Sequence, residues 1–314
     1  MNNFSIALHG GAGTILREQM TPELEGSYLE GLRLALESGY TILKNGGSSL
    51  DAVEMAVASL EDNILFNAGR GSVFNSNGLH EMDAAIMDGK TLGAGAVAGV
   101  KNIANPVKLA KLIMKNSEHV MLCGQGALDF AISQQLPLEN EEYFYSQLRY
   151  DQWQAVCNTD NFVLDHNDPN KNSMQDKKFG TVGAVAMDQS GNLAAATSTG
   201  GMTNKKYGRI GDSPVIGCGT YANNNTCAIS CTGHGEPFIK AVAAYDVSCL
   251  MEYKGMSLEQ AMNEVVNVKL INIQGEGGMI GVDRHGNSAM IFNSAGMYRA
   301  SNNRDNKMEI GIYK

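Results

Sequence analysis

The chain has 314 residues, 43% of them hydrophobic and 18% charged, with a formal net charge of −9. Such a composition builds a globular protein with a sizeable core and excludes a disordered one. It has no basic stripe to offset the acidic balance, which excludes nucleic acid as a partner. No window approaches the roughly 20 apolar residues of a membrane span. "MNNFSIALHGG" lacks the basic region and the apolar length of a signal peptide, so a cytoplasmic protein is expected. Six cysteines occur without a CxxC pair. Cys227 and Cys231 share a face of an expected strand and read as buried thiols, not as zinc ligands or a disulfide framework.

"FSIALHGGAG" is a short β-rich run that ends in a glycine loop. Thr21-Pro22 opens a helix, threonine as cap and proline as first residue. Leu29, Leu32, Leu36 and Leu43 keep its apolar stripe until Gly46-Gly47 stops it. Ser48 and Asp51 start the next helix, on which Val53, Ala56, Val57 and Leu60 face one way. "LFNAGRGSVFNSNG" reads as loop, and "HEMDAAIMDGKTLGAGAVAGV" as two strands around an Asp-Gly turn. A helix from Asn105-Pro106 to about Asn116, a strand at "HVMLCG" and a helix at "GALDFAISQQ" follow. Residues 158–180 are polar and rich in breakers, the one candidate for a flexible linker. Beyond it lie strands at "TVGAVAMD", "LAAATSTG" and "CAISCTG", then helices at "PFIKAVAAYDVSCLMEY" and "SLEQAMNEVVNVKL". "MIGVDRHGNSAMIFN" repeats the layout of 181–199, including its D-x-x-G-N turn. Strands and helices in blocks, without strict alternation, point to an α+β layered sandwich with mainly antiparallel sheets.

The hairpin around "QSGN" allows a sharper reading. Two antiparallel strands centred on Ser190 place Thr181 opposite Thr199. Two hydroxyls then meet where the polar segment enters the strand. A cross-strand threonine pair is common and contributes only a few tenths of a kcal/mol by itself. Chemistry is the other reading. A threonine hydroxyl needs a base within reach, and its own α-amino group, with an ordinary pKa of about 7.7–8.0, serves if it is free. The chain would first have to break before Thr181. Gly180 suits that break, because a residue without Cβ exposes its carbonyl to the Thr181 hydroxyl.

The segment from "GTVGAVAMDQSGN" through "GRIGDSPVIGCGTYANN" to "SCTGHGE", together with "HGGAG" and "LFNAGRGSVF", closely resembles the plant-type L-asparaginase and isoaspartyl peptidase family of N-terminal-nucleophile hydrolases. The resemblance runs from residue 5 to the terminal "GIYK". It implies a single four-layer αββα sandwich over 1–314 that cuts itself between Gly180 and Thr181 into 1–180 and 181–314. It implies a dimer of such heterodimers. Thr181 would be the nucleophile, Thr199 its hydrogen-bonding partner, and Asn67 a support. Thr232 and Gly233 would form the oxyanion hole, Gly233 also touching substrate. Arg209 and Asp212, from "GRIGD", would hold the substrate's α-carboxylate and α-ammonium. The substrate is then a small molecule with a free aspartyl backbone, either L-asparagine or a β-aspartyl dipeptide. No organic cofactor is implied. A structural sodium ion is, held by carbonyls of Leu60, Glu61, Asn63, Phe66, Ala68 and Arg70.

Other features have plainer readings. In "HGGAG" a leucine, Leu16, stands where GxGxxG needs its third glycine, so close backbone packing with a structural His9 outweighs a phosphate site. Arg209 and Asp212, taken alone, would also suit a surface pair of little stabilising effect. His234 has no matching Ser or Cys nucleophile signature and no assigned role. Three alternatives remain at this stage: a glycosylasparaginase-like amidohydrolase, a threonine endopeptidase, and a non-catalytic metabolite-binding protein.

Overall fold

A computed structural model describes residues 3–158 and 180–314. The linker expected at 158–180 falls, apart from its two end residues, outside the described residues. The amino-terminal half supplies β1 (Ser5–Gly13), α1 (Pro22–Lys44), α2 (Ser49–Glu61), β2 (Met82–Asp88), β3 (Ala94–Val100), α3 (Pro106–Asn116), β4 (Met121–Cys123), α4 (Gly124–Ser133), α5 (Glu141–Phe144) and α6 (Gln147–Gln154). The carboxy-terminal half supplies β5 (Val182–Met187), β6 (Leu193–Thr199), β7 (Thr220–Ala222), β8 (Cys227–Gly233), α7 (Gly235–Ala241), α8 (Ala243–Lys254), α9 (Leu258–Glu264), α10 (Leu270–Asn272), β9 (Gly277–Asp283), β10 (Ser288–Phe292), β11 (Gly296–Asn303) and β12 (Glu309–Tyr313).

The strands form an eight-stranded sheet in the order β12-β11-β1-β5-β6-β2-β3-β4 and a four-stranded sheet in the order β10-β9-β8-β7. Every ladder is antiparallel except β3–β4. The period of two along each strand decides the layers. Ile6 and Leu8 of β1 and Ala184 and Ala186 of β5 pack outward with Leu32, Leu36, Val53 and Val57 of α1 and α2. Ala7, Val185 and Met187 point the other way, to Ala228, Ile280 and Val282 of the second sheet. On that sheet's far side Cys227, Ile229 and Cys231 meet the helices α8 and α9. The result is the expected αββα sandwich, with both cysteines fully buried among the helices.

Local signals work as the sequence suggests. Thr21 accepts the Leu24 N–H at the start of α1, and Ser48 accepts that of Asp51 at the start of α2. The repeated D-x-x-G-N turns are the same turn twice. Asp188 Oδ1 accepts from the amides of Ser190 and Asn192, and Asp283 Oδ1 from those of His285 and Asn287.

Three expectations need correction. "HGGAG" is no loop: β1 runs through Gly13 with a bulge at Gly10, because Gly11 to Gly13 pair with Tyr298 to Gly296 of β11. The run expected as one helix at 237–253 breaks at Val242, which is left-handed with φ +49°. There the amides of Ala244 and Tyr245 turn to the carbonyls of Cys218 and Gly217. The helix at 257–270 contains a π-turn over Val265–Lys269. The β11–β12 hairpin is a further element that no local signal marked.

Candidate active site

The same parity brings the site together. Val182 pairs with Ser198 and Gly183 with Thr197, so the next pair outward is Thr181 and Thr199. Their side chains point between the sheets, as do Ser230 and Thr232 from β8 across the gap. Thr181 Oγ1 donates to Thr199 Oγ1 at 3.2 Å, and Thr199 Oγ1 donates to the Gly180 carbonyl at 3.0 Å. The Gly201 amide donates to Thr199 Oγ1 at 2.9 Å, which fills its second lone pair. Thr181 is 7% exposed, so the hydroxyl row is nearly dry.

A small cleft opens on this row, lined by Gly180, Thr181, Thr199, Arg209, Asp212 and Gly233 among others. Thr232 lies beside its Gly233 wall, fully buried, and its Oγ1 accepts from the Ala12 amide at 3.2 Å. That contact leaves the Thr232 hydroxyl proton free to donate. Gly233, with φ +154°, crosses Gly277 so closely that a Cβ would stand 2.5 Å from the Glu276 oxygen. Asn67 supports the turn after Thr199 from below. Its Nδ2 donates to the Gly201 carbonyl at 2.8 Å and its Oδ1 accepts from Val73 at 3.0 Å.

Arg209 and Asp212 are not a surface pair. Asp212 is 3% exposed and its Oδ2 has no hydrogen-bond partner. Burial raises its pKa to about 7, against the pull of its backbone hydrogen bond and of Arg209. Arg209 is held from one side by Glu236, with Nε to Oε1 at 2.9 Å and Nη2 to Oε2 at 2.8 Å. This bidentate contact uses the side edge of the guanidinium and leaves the end edge, Nη1 and Nη2, for a carboxylate in the cleft. His234 Nε2 lies 3.0 Å from Glu236 Oε2. Burial lifts the Glu236 carboxyl, but the bonds to His234 and Arg209 outweigh it and hold the group far below its usual range. Glu236 is therefore a carboxylate at any working pH. The sequence reading did not single it out, although it closes the quoted "CTGHGE" motif. Replacing Glu236 with glutamine is expected to raise KM about tenfold with kcat nearly unchanged, since a charged hydrogen bond contributes about 1.5–3 kcal/mol. Steady-state kinetics on the purified variant check this.

The loop after α2 turns its carbonyls inward. A Cβ at Gly69 would stand 2.6 Å from the Glu61 oxygen, and one at Gly71 would stand 2.0 Å from that of Phe66 and 2.8 Å from that of Ile64. The carbonyls of Asn63, Phe66 and Ala68 each accept one turn hydrogen bond, leaving a lone pair apiece, and that of Leu60 accepts from both Asp62 and Asn63. Glu61 is fully buried. Its Oε1 accepts from Val107, its Oε2 has no partner, and burial pushes its pKa up to about 8. Arg70 lies over the Tyr143 ring at 5.6 Å.

Two sheets between helical layers, with a buried threonine at a strand start facing the gap, make up the architecture of the N-terminal-nucleophile hydrolases. The chain belongs to the asparaginase family, whose profile, described as "Asparaginase", matches residues 2–312. It is 51% identical to the isoaspartyl peptidase of Salmonella typhimurium over 314 residues, covering all of both chains. It is 50% identical to that of Escherichia coli, covering all of this chain and 97% of the relative. It is 43% identical to an isoaspartyl peptidase/L-asparaginase of Xenopus laevis, covering 98% and 94%.

Proposed function

We propose that this chain severs itself between Gly180 and Thr181, and that the freed Thr181 hydrolyses β-aspartyl dipeptides and L-asparagine. The observation that carries the reading is the directed hydroxyl row. Thr181 donates to Thr199, and Thr199 donates to the Gly180 carbonyl, the bond to be cut. In the first reaction Thr181 Oγ attacks the Gly180 carbonyl carbon. The C–N bond breaks as the C–O bond forms, and the proton passes to the Thr181 nitrogen. That nitrogen is now the free α-amine, and water then hydrolyses the ester, which frees the Thr181 hydroxyl and leaves Gly180 as a carboxylate.

The same groups serve the second reaction. The Thr181 amine is the general base for its own hydroxyl. Arg209 takes the substrate's α-carboxylate by its free edge, and Asp212 takes the α-ammonium. The side-chain carbonyl of the aspartyl unit then faces Thr181. Charge that develops on its oxygen meets the Thr232 hydroxyl and the Gly233 amide; one such donor typically contributes about 3–4 kcal/mol of barrier lowering. The amine, ammonia or an amino acid, leaves with a proton. Water, activated by the Thr181 amine, attacks the acyl carbon and returns aspartate. A zwitterion-reading pair this close to the nucleophile suits small substrates better than long peptides, which argues against an endopeptidase.

The carbonyls at Leu60, Glu61, Asn63, Phe66, Ala68 and Arg70 form an all-oxygen donor set, which fits a hard cation such as sodium. Its part would be to stiffen the turn that carries Asn67. We also infer a dimer of cut chains, supported by exposed Val242, Tyr245 and Tyr253 around α8, and a reducing compartment, supported by six free thiols.

Intact mass under denaturing conditions, with N-terminal sequencing, tests the proposal. Two chains are expected, the second beginning Thr181-Val182-Gly183. A single chain that hydrolyses isoaspartyl peptides while remaining uncut would overturn it.

A further inference from the structure

The His9 imidazole is fully buried between the sheets. Its Nδ1 lies 2.9 Å from the Thr181 carbonyl oxygen and its Nε2 lies 2.9 Å from Ser230 Oγ. A carbonyl only accepts, so Nδ1 carries the proton. Burial drives the ring's pKa down to about 3, so Nε2 is a bare acceptor and Ser230 donates to it. Ser230 Oγ is then an acceptor for Thr197 Oγ1 at 2.7 Å, and Thr197 Oγ1 for Thr220 Oγ1 at 2.6 Å. Each hydroxyl has one proton, so the direction at one end orders the whole row. It runs from Thr220 through Thr197, Ser230 and His9 to the Thr181 carbonyl. The carbonyls of Gly219, 3.3 Å from Thr197 Oγ1, and Ser213, 3.0 Å from Thr220 Oγ1, flank the row at longer range. Gly183 makes room for it: a Cβ there would stand 2.0 Å from Ser230 Oγ and 2.6 Å from His9 Nε2.

We propose that His9, its tautomer set by Ser230, Thr197 and Thr220, is a positioning residue that anchors the main chain of Thr181 after the Gly180–Thr181 bond is cut. The inference rests on Thr181 being the nucleophile. In the uncut chain Thr181 is held through both neighbours. In the cut chain it is a terminal residue, one position outside β5, where strand ends fray. Among the described residues two side chains hold it, Thr199 through the hydroxyl and His9 through the carbonyl. A nucleophile displaced by about 1 Å loses about 100-fold in rate. Loss of the anchor therefore falls on kcat, while KM, set by Arg209 and Asp212, stays.

Two isosteres separate positioning from packing. The amide nitrogen of asparagine stands where Nδ1 stood; the amide oxygen of glutamine stands where Nε2 stood and accepts from Ser230. His9→Asn keeps the donor to Thr181, and His9→Gln keeps only the Ser230 side. Glutamine is closer to histidine in volume, so packing alone ranks His9→Gln as the better enzyme. The anchor ranks them the other way. Expected, on cut chains with the Thr181 terminus verified, is a kcat within about tenfold of wild type for His9→Asn and about 100-fold down for His9→Gln. KM changes less than about twofold in both, and His9→Gln melts no lower than His9→Asn. Equal kcat losses, or the larger loss in His9→Asn, overturn the proposal. Should neither variant fold, Ser230→Ala decides: a lower kcat at unchanged KM supports the anchor, and an unchanged kcat overturns it. A wild-type enzyme active without a chain beginning at Thr181 would instead remove the nucleophile reading beneath it. An active, correctly cut wild type with the wrong ranking removes the anchor alone.

Discussion

Thr181→Ala is expected to leave the chain uncut and to lower turnover of β-aspartyl dipeptides by about 10⁴–10⁶-fold, the scale on which hydroxyl-nucleophile enzymes lose rate when the nucleophile goes. The two losses have one cause. The atom that attacks the Gly180 carbonyl is the atom that later attacks substrate, and without the cut no α-amine exists to act as base. Thr181→Ser keeps hydroxyl and amine but loses the methyl that restricts χ1, so it should cut and turn over, both more slowly. Thr199→Val keeps the shape of its side chain and removes the donor at 3.0 Å from the Gly180 oxygen. Its cutting should slow by about 10²–10³-fold, the usual effect of one lost oxyanion donor. Gel mobility over time and steady-state assays on the same preparations check all three. A Thr181→Ala protein that still released aspartate would sink the mechanism.

Asp212→Asn is expected to lose activity and gain stability at once. The α-ammonium of the substrate would face a neutral amide in a buried site, and breaking such a pair costs about 3–5 kcal/mol, or about 10²–10⁴-fold in kcat/KM. The pH dependence carries the finer signature. Asp212 must be ionised to hold the ammonium, and burial has raised its pKa from 3.8 to about 7. Thus kcat/KM of the wild type should rise as pH climbs through about 7, and in Asp212→Asn only the rise owed to the Thr181 amine, at about 7.7–8.0, should remain. Stability runs the other way. A carboxyl whose folded pKa exceeds its unfolded one stabilises the fold fully below the unfolded value and loses that contribution as pH rises through the folded one. The free wild-type enzyme should therefore weaken between pH 3.8 and about 7, and Asp212→Asn should not. Melting temperatures of the two should converge toward pH 4 and separate above pH 7. Equal melting curves at pH 8 would mean that Asp212 is not the strained, unpartnered carboxyl described above. Arg209, Glu236 and Asp83 are the charges that act on Asp212. Glu236 is already ionised by its own partners, which leaves Asp212 and the Thr181 amine, ordinarily at about 7.7–8.0, to shape the rise; the part that Asp212→Asn removes belongs to Asp212.

Much of this site was legible along the chain because it is local or periodic. Thr181 meets Thr199 through the five-residue connection 188–192, and a hairpin's register follows from its centre alone. Period two told that Cys227 and Cys231 share a face. The caps at Thr21 and Ser48 and the twin Asp188 and Asp283 turns are contacts within four residues, set by side chains reaching their own backbone. What sequence could not reach is the meeting of the two sheets. His9 bonds to Ser230 across 221 positions and to Thr181 across 172, and nothing in "HGGAG" distinguishes a bulged strand from a loop until β11 pairs with it. Nor does "GRIGD" show whether its aspartate is solvated. Close packing against Gly219 and Gly235 makes Asp212 an unpartnered carboxyl, and the seat of Glu236 at the start of α7 aims Arg209 with one edge free. Local order was written in spacing and turn chemistry; charge states and the aim of side chains waited for packing, because desolvation and partner geometry exist only once distant strands are stacked.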